Sequence, residues 1–386
     1  MITRLSMRNF CAFKELDIDF SPKINVIIGE NSFGKTQLLK AAYVLGKVGE
    51  DISKAPKVTK PQVGSWLTKK LLGTYKPNNS KLYELYHRGG RGNAIIQMEH
   101  ASGHRFGATF PGKGTKAQPL EDYKQGSMSG VFIPTREVLT LLRGISEGIA
   151  GPEVLDSLFD DSVIDLCRSL LLGVSDDLQA RVDDDPRLGD ILPTLVNDIK
   201  GRYEITKEYQ SFVPGLYEEI EAKPISQSKQ AKAYSDATTT RFVPQGGAVL
   251  SNSMTAEGYR KIGILQGLLR NGVIDPGISG PLYWDEPESN MNPKLMRLIV
   301  ESLFKLSRNG QQIILATHDY VLLKWLDLLM DKDKEDHVRF HVLKPTARGV
   351  SVEASDSYQA IPENSIANTF SELYDEEIKR SLGSTQ

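Results

Sequence analysis

The eight residues GENSFGKT, from Gly29 to Thr36, constrain the fold of this chain more than any other stretch. They match the pattern G-x-x-x-x-G-K-[ST], and they follow NVIIG, an apolar run of strand length. Apolar residues then recur at helical spacing from Lys35 to Gly46. A strand, a glycine-rich turn and a helix in this order predict a phosphate-binding loop, because the backbone N–H groups and the helix N-terminus then face an anion. The alternative, a glycine-rich turn that arose by chance, does not explain the flanking strand and helix.

Each residue type in this loop has a chemical reason to be there. Gly29 and Gly34 allow the backbone to bend around a phosphate. Lys35 is expected to reach the β- and γ-phosphates, and the Thr36 hydroxyl is expected to take one coordination position on Mg²⁺. We therefore expect ATP and Mg²⁺ as ligands, with the nucleotide held by the loop and the residue after it: Gly29, Glu30, Asn31, Ser32, Phe33, Gly34, Lys35, Thr36 and Gln37.

The composition excludes several classes of protein. The chain of 386 residues has a formal net charge of −2, which indicates neither a strongly basic nucleic-acid protein nor an acidic-tail protein. Its two cysteines, Cys11 and Cys167, lie far apart, which excludes a disulfide framework and fits a reducing, cytoplasmic compartment. No apolar run approaches the roughly 18 residues of a membrane span, so we expect no membrane partner.

A second strand-like run, PLYWDE, ends in the adjacent acids Asp285 and Glu286. A phosphate-binding loop requires an acid near its Mg²⁺, and we expect Asp285 to hold the metal ion through water. Glu286 is expected to accept a proton from the attacking water molecule. Two acids that merely begin a solvated loop are the alternative, and the intact phosphate loop argues against it.

A third strand-like run, QIILATHD, carries His318 near its end. Neighbouring parallel strands end at the same edge of a sheet, where ligands bind. We therefore expect His318 to lie near Glu286 and to act as a sensor of the γ-phosphate. A lone histidine is more often structural, but this position at the strand end favours a functional role.

The order of these motifs resembles that of ABC-type ATPases of the chromosome-maintenance (SMC), DNA-repair and OLD-like branch, often described as AAA-family ATP-binding proteins. RLSMRNFCAFKELDIDFSPKINVIIGENSFGKTQLLKA is similar to their opening lobe, WDEPESNMNP to their Walker B motif and D-loop, and ATHD to their His switch. The resemblance covers residues 1–46 and about 250–345. It implies an α/β P-loop NTPase fold: a two-lobed head with a mainly parallel sheet, an N-terminal antiparallel β region and a helical insertion.

The resemblance also implies a signature segment that completes the nucleotide site of a partner subunit. The matching stretch LSNSMTAEGYRK departs from the Leu-Ser-Gly-Gly form of the family. Four candidates for the contact with the γ-phosphate stay open: Ser251, Ser253, Thr255 and Gly258. A purely structural role as helix N-cap residues is the alternative. The Q-loop glutamine of the family is not obvious, and its place is open to three residues: Thr135, Arg136 or Glu137.

Three parts follow from these assignments. Residues 1–136 form the N-terminal part of the head, and residues 201–386 form its C-terminal part with the signature-like segment, the acids and His318. Between them lies an acidic helical insertion, residues 137–200, where ten acids and three arginines fall between Glu153 and Arg187. This insertion is expected to form a compact lid or a docking surface.

A basic segment within the first part has two interpretations. Between Lys54 and Arg91 there are nine basic residues and one acid, a local charge of +8. Aromatic residues are interleaved with them: Trp66, Tyr75, Tyr83 and Tyr86. The segment could follow a phosphate backbone, which leaves a nucleic-acid partner open, or it could be a solvated loop.

By the same resemblance, two copies would clamp two ATP molecules, with the D-loop residues Ser289, Asn290 and Asn292 at the seam. No nuclease-type acidic cluster follows His318, so we expect a stand-alone ATPase. The leading hypothesis is an ATP-hydrolysing switch that dimerises around ATP and controls a separate effector, such as a nuclease or toxin, in bacterial anti-phage defence. The alternative is a DNA-repair ATPase that grips nucleic acid directly. A transporter ATPase is a weaker third hypothesis, because the signature and Q-loop differ from the transporter form.

Overall fold

The computed structural model describes residues 1–55, 57–120, 129–146, 152–172, 185–189, 191–208, 237–346, 349–361 and 365–382. The chain divides into two compact units. Unit 1 comprises Met1–Thr135, Asp160–Ser162 and Ile274–Gln386, and unit 2 comprises Arg136–Phe159 and Val163–Val273. Residues 201–273 therefore lie in unit 2 together with the described parts of the expected insertion other than Asp160–Ser162, and the three predicted parts stay predictions.

The strands and helices are numbered in chain order. The strands are β1 Ile2–Phe10, β2 Phe13–Asp19, β3 Ile24–Ile28, β4 Asn93–His100, β5 Arg105–Pro111, β6 Gln118–Pro119, β7 Val131–Ile133, β8 Gly201–Glu208, β9 Ala237–Pro244, β10 Leu250–Ser251, β11 Leu282–Asp285, β12 Ile313–Thr317, β13 Val338–Thr346 and β14 Gly349–Ser355. The helices are α1 Lys35–Lys54, α2 Lys60–Tyr75, α3 Leu142–Ser146, α4 Pro152–Leu158, α5 Asp161–Leu170, α6 Ile191–Asp198, α7 Glu257–Arg270, α8 Pro293–Arg308, α9 Tyr320–Leu329 and α10 Ser365–Ser381.

A mainly parallel sheet of unit 1 has the order β14-β13-β3-β12-β11-β7. Strands β3, β7, β11, β12 and β13 are parallel, and β14 adds an antiparallel edge next to β13. Every residue of β3 and β12 is buried, and both strands are apolar apart from Asn25 and Thr317, as expected of parallel strands covered on both faces. In register, Ile28 pairs with Thr317, and Asp285 pairs with Ala316. The residues that follow these strands therefore emerge at one edge of the sheet.

An antiparallel sheet of unit 1 has the order β2-β1-β4-β5-β6 and includes the N-terminal antiparallel β region that the family resemblance implies. Its inner face contributes Leu5, Ile96 and Phe106 to the core, while Arg4 on β1 and Asp17 on β2 form an ion pair on the exposed face. The side chain of Gln312, the residue before β12, joins this sheet to the parallel one. Its Oε1 accepts from the Ile2 backbone N–H at 2.8 Å, and its Nε2 donates to the Ile2 carbonyl at 2.7 Å.

Two helices differ from the sequence-based expectation. Helix α1 continues past Gly46 to Lys54, because Val48 and Ile52 remain buried and each of its two glycines, Gly46 and Gly49, costs only about 1 kcal/mol. Helix α2 lies in a region expected to be irregular. Its signals are in the sequence: Gln62 Oε1 accepts from the Thr59 N–H at 2.9 Å in a capping-box arrangement, and buried apolar residues recur every four positions (Val63, Leu67 and Leu71).

Unit 2 contains the antiparallel sheet β10-β9-β8 and the helix α7 that follows the signature-like segment. Tyr203 on β8 and Gln266 on α7 connect the two, since the Tyr203 N–H donates to Gln266 Oε1 at 3.0 Å. Apolar residues of α7, among them Ile262 and Leu265, are buried. Among the helices in the described part of the chain, none combines the length and apolar composition that crossing a membrane requires.

Candidate functional site

The loop from Gly29 to Gly34 connects β3 to α1 in the way its sequence predicts. Gly34 caps the helix with a φ of 88°, and Ser32 also has a positive φ, of 72°. A Cβ atom on Gly34 would lie 2.7 Å from Phe13 Cζ. Both the backbone conformation and the close approach of Phe13 therefore require glycine at this position.

We expect Gly34→Ala to distort the loop and to weaken nucleotide binding. The left-handed backbone alone costs about 1–3 kcal/mol with a side chain present, and the contact with Phe13 adds to it. Gly46→Ala is the matched control. Nothing lies within 3.8 Å of a Cβ there, and a helical alanine should stabilise the fold by about 0.5–1 kcal/mol. Thermal melting and ATP titration check both variants, and equal behaviour of the two would contradict the expectation.

Lys35 is buried at the start of α1, with 6 % of its surface exposed. Its Nζ donates to the Gly29 carbonyl at 2.7 Å and to the Glu30 carbonyl at 3.0 Å. Burial lowers the pKa of Lys35, while the nearby carboxyl groups of Glu286 and Asp285 oppose that shift. The ammonium group is thus held at the loop, where it could pair with a phosphate.

The other loop residues have distinct surroundings. Glu30, Asn31 and Ser32 are exposed, and Phe33 packs against the core of unit 1. Gln37 does not face outward as a free side chain, because its Oε1 accepts from the Ala12 N–H at 3.0 Å. The geometry of Gln37 therefore indicates that it ties α1 to the turn between β1 and β2.

Asp285 ends β11 with 4 % of its surface exposed and contacts two hydroxyl groups. Thr36 Oγ1 lies 2.8 Å from Asp285 Oδ2 and 3.0 Å from its Oδ1, and Thr135 Oγ1 donates to Oδ2 at 3.2 Å. Burial raises the pKa of Asp285, and the Thr36 hydrogen bond opposes that shift. A hydroxyl and a carboxylate in contact are the hard oxygen donors that Mg²⁺ prefers.

The wider donor set also suits Mg²⁺. Among the described residues there is no group of three or more His, Cys, Asp or Glu side chains suited to a metal ion. Mg²⁺ needs only one or two protein ligands, because water and phosphate oxygens supply the others. Thr36 and Asp285 therefore fit the ion that the sequence predicts.

Glu286 lies one residue beyond β11, at the shared sheet edge. Its backbone is left-handed, with a φ of 48°, and its N–H donates to the Ala316 carbonyl at 2.9 Å. Glu286 Oε1 lies 3.1 Å from His318 Nδ1, and Glu286 Oε2 accepts from the Ser289 hydroxyl at 3.3 Å. The structure thus brings Glu286 and His318 together as the strand order predicts, and their chemical roles stay predictions.

Two other D-loop residues have local roles. Asn292 caps α8, because its Oδ1 accepts from the Lys294 N–H at 2.9 Å. Asn290 is exposed and has a φ of 57°, a conformation that asparagine tolerates better than most residues.

Glu288 is a buried acid to which the sequence motifs assign no role. Its Oε1 accepts from the Thr317 hydroxyl at 2.6 Å and lies 3.8 Å from His318 Nδ1. Burial raises the pKa of Glu288. The sequence points to Glu288 only as a second acid two positions after Glu286. Its contact with Thr317 arises because β11 pairs with β12, which brings the residues after β11 close to the end of β12.

The signature candidates lie in unit 2 and differ in accessibility. Ser251 and Ser253 are exposed, and their hydroxyl oxygens are 3.2 Å apart. Thr255 is buried, where its hydroxyl accepts from Tyr203 OH at 2.7 Å and donates to the Asn252 carbonyl at 2.8 Å. Gly258 is buried in the first turn of α7. The N-cap of α7 is Ala256, so none of the four candidates fills the capping position itself.

An ion pair links the start of unit 2 to the signature helix. Arg260 Nε lies 3.0 Å from Glu137 Oε2, and their side chains are 15 % and 5 % exposed. Arg260 Nη1 also donates to the Thr255 carbonyl at 2.5 Å. Of the three Q-loop candidates, Thr135 contacts Asp285 in unit 1, Glu137 forms this pair in unit 2, and Arg136 lies over the Phe159 ring at 5.8 Å.

We expect Glu137→Ala to destabilise unit 2 by about 3 kcal/mol, because it leaves the largely buried guanidinium of Arg260 without its carboxylate partner. The matched control is Arg202→Gln, which removes an exposed ion pair with Glu204 and should cost less than about 1 kcal/mol. Urea denaturation followed by circular dichroism measures both changes. Similar midpoints for the two variants would show that the Glu137–Arg260 pair contributes little.

In the basic segment most of the charged side chains are exposed to solvent, whereas most of the aromatic rings are not. Trp66, Tyr75 and Tyr86 pack against the core of unit 1, whereas Tyr83 is 43 % exposed. Six basic residues of the segment besides Lys54 are exposed: Lys57, Lys60, Lys69, Lys81, Arg88 and Arg91. Three of the four aromatic side chains are therefore structural, and the segment suits contact with phosphates better than stacking on bases.

Two protein families match parts of the chain. The family described as "AAA domain, putative AbiEii toxin, Type IV TA system" matches residues 171–324, and "AAA ATPase domain" matches residues 1–99. The DNA replication and repair protein RecF of Halalkalibacterium halodurans is 50 % identical over 44 residues, and that of Bacillus mycoides is 48 % identical over 44 residues. Each of these matches covers 11 % of this chain and 12 % of the RecF protein.

Solved structures extend the likeness over nearly the whole chain. An SMC head bound to the C-winged helix domain of ScpA has a TM-score of 0.53 at 11 % identity, covering 93 % of this chain and 99 % of that one. The head domain of Smc derived from Pyrococcus furiosus, with an extended coiled coil and bound to the C-terminal domain of ScpA, has a TM-score of 0.51 at 11 % identity, covering 97 % and 99 %. At this identity the likeness shows the fold. The predicted fold class and the resemblance to ABC-type ATPases of the SMC and DNA-repair kind are confirmed, and the OLD-like part of the resemblance stays a prediction.

Proposed function

We propose that this chain, an ABC-type ATPase head of the SMC and RecF kind, hydrolyses ATP to ADP and phosphate and thereby switches a separate effector protein on or off. One observation carries the hydrolytic part of the proposal. Residues from three distant chain segments meet at one sheet edge, where Thr36 contacts Asp285 and His318 contacts Glu286. The hydroxyl–carboxylate pair that would hold the metal ion and the acid–imidazole pair thus use adjacent residues, Asp285 at the end of β11 and Glu286 just after it.

Each of these side chains has a distinct task in the proposed reaction. Lys35 would bind the β- and γ-phosphates through its buried ammonium group. Thr36 and Asp285 would hold Mg²⁺, which when bound neutralises phosphate charge. Glu286 would orient the attacking water and accept its proton at a carboxylate oxygen. His318, beside Glu286, would contact the γ-phosphate with its ring.

The proposed active assembly is a homodimer around ATP. The exposure of Ser251 and Ser253 supports this part of the proposal, because an exposed hydroxyl group is accessible to a phosphate bound by a second chain. We therefore favour these two residues over Thr255, whose hydroxyl is engaged inside unit 2. Ser289 in the D-loop contacts Glu286, so a change at the dimer seam could reach the proposed base.

Two similarities support a separate protein effector. One matching family is described by a putative toxin and a toxin–antitoxin system, and both SMC heads were solved with part of ScpA bound. A nuclease or toxin in a bacterial anti-phage defence system is the effector class we propose. Co-purification of the chain with the product of a neighbouring gene, in the presence and absence of ATP, tests it. Recovery of the chain alone under both conditions would remove this support.

A DNA-binding role is the second candidate, and the exposed charges of the basic segment favour it together with the similarity to RecF. ATP-dependent DNA binding should then weaken steeply with salt, because each phosphate contact that forms releases a counterion from the DNA and added salt makes that release less favourable. Replacing Lys57, Lys60 and Lys69 with glutamine should flatten that salt dependence. If the binding and its salt slope stay unchanged, the basic segment is not the contact surface.

The hydrolytic proposal has a direct test. Purified chain with Mg²⁺ and ATP should release phosphate, and EDTA should abolish the release. Gel filtration with and without ATP then shows whether the nucleotide changes the assembly size. Absence of both phosphate release and ATP binding would refute an ATPase function.

A further inference from the structure

Glu288 is a buried carboxyl group that no step of the proposed reaction uses. It follows Pro287 in the D-loop and has 7 % of its surface exposed. Its Oε1 accepts from the Thr317 hydroxyl at 2.6 Å and from the His318 N–H at 3.4 Å. Its Oε2 is buried and has no hydrogen-bond partner among the described residues. A buried carboxyl group with one unsatisfied oxygen costs folding free energy, so a role beyond packing would account for it.

The hydrogen bonds of Glu288 form a directed chain along the end of β12. The Asp319 N–H donates to Thr317 Oγ1 at 2.9 Å, and the Thr317 hydroxyl donates onward to Glu288 Oε1. Asp319 in turn caps α9 by accepting from the Leu322 N–H at 2.7 Å. The residues on both sides of His318 are therefore held by a chain that ends on the D-loop acid.

The His318 ring depends on polar partners for its orientation. Its side chain is 44 % exposed, so packing does not fix the ring. Its Nδ1 lies 3.1 Å from Glu286 Oε1 and 3.8 Å from Glu288 Oε1, which places this nitrogen beside both acids. With Nδ1 directed at the acids, Nε2 is the ring nitrogen left to face another group.

We infer that Glu288 is a positioning residue for ATP hydrolysis, which orients His318 by holding the end of β12 and the Nδ1 side of the ring. This inference rests on the proposed function, since it concerns the same site. It adds that the D-loop sets the orientation of the His switch through a side chain that does not touch the nucleotide. A purely structural Glu288 would instead stabilise the fold without acting through His318.

A double-mutant cycle tests the inference. Glu288→Ala should lower kcat about tenfold, the rate equivalent of one lost hydrogen bond, with the KM for ATP unchanged. Glu288→Gln should keep most of the activity, because its amide oxygen can still accept from Thr317. In the His318→Ala background, Glu288→Ala should have no further effect on kcat. If Glu288→Ala lowers kcat by the same factor in the wild-type and His318→Ala backgrounds, the inference is wrong. It is also wrong if the decrease in kcat is explained by a decrease in melting temperature.

A second measurement does not depend on hydrolysis. The chain has 6 histidines, and the ring signals of His318 in a ¹⁵N-histidine NMR spectrum are those missing in His318→Ala. Glu288→Ala should shift these signals and leave those of the other histidines in place, whereas Glu288→Gln should shift them less. Unchanged His318 signals in Glu288→Ala would overturn the inference. The two proposals can fail separately. If the wild-type chain does not hydrolyse ATP but Glu288→Ala still shifts the His318 signals, the proposed ATPase function is wrong and the positioning contact stands.

Discussion

Glu286→Gln should bind ATP normally and hydrolyse it at least about a hundred times more slowly than the wild type, because glutamine cannot accept the proton of the attacking water. Glutamine has the same shape, so the contacts with Ser289 and the Ala316 carbonyl can persist. The variant should therefore accumulate as an ATP-bound assembly. Phosphate release and light scattering in the presence of ATP measure these two effects.

Glu30→Gln is a suitable control for Glu286→Gln, because Glu30 is an exposed acid of the phosphate loop. It removes the same charge near the nucleotide without touching the proposed base, so turnover should fall far less than in Glu286→Gln. Wild-type turnover in Glu286→Gln would exclude Glu286 as the base. Equal losses in both variants would point to a general effect of charge rather than to proton transfer.

Lys35→Ala should lower the affinity for ATP by about ten- to a hundredfold, since it removes a charge-assisted hydrogen bond to phosphate. The folded chain should tolerate this change, because burial lowers the pKa of Lys35 and the mutation removes a desolvated ammonium group. Isothermal titration with ATP in Mg²⁺ buffer measures the affinity. Thermal melting without nucleotide shows whether the fold is retained.

Lys69→Ala provides the matched control for Lys35→Ala, because Lys69 is exposed on α2 and lies outside the loop. Its affinity for ATP should equal that of the wild type. An unchanged affinity in Lys35→Ala would mean that this side chain does not contact the phosphates. A loss in Lys69→Ala would assign part of the binding to the basic segment.

Much of the sheet edge could be predicted from short stretches of sequence. The strand-like runs that lead to Gly29, Asp285 and His318 form strands β3, β11 and β12. The parallel pairing of these strands brings their carboxyl ends together. The rule that parallel strands end at one edge was enough to place His318 beside Glu286. Local pattern and one topological rule thus predict which functional groups meet.

Contacts made by side chains across long sequence separations could not be predicted in this way. Gln37 follows the phosphate motif, yet its side chain bonds to Ala12, and Thr255 is occupied by Tyr203. These partners depend on how elements pack, which single-sequence periodicity does not contain. Helix α2 is different, because its signals are present in the sequence. The Thr59–Gln62 capping box and the apolar residues at every fourth position predict a helix, but the many glycine and lysine residues around them favour an irregular segment.

The bonds between Ile2 and Gln312 span 310 positions of the chain, and they bear on how the protein is made. Strand β3 has both of its sheet neighbours, β12 and β13, in the last quarter of the sequence. Contacts between residues so far apart in sequence form slowly. During synthesis on the ribosome, β3 cannot pair in its sheet until β12 and β13 have been made. The nucleotide site should therefore be among the last parts to form, so ATP could stabilise a finished chain but not a nascent one.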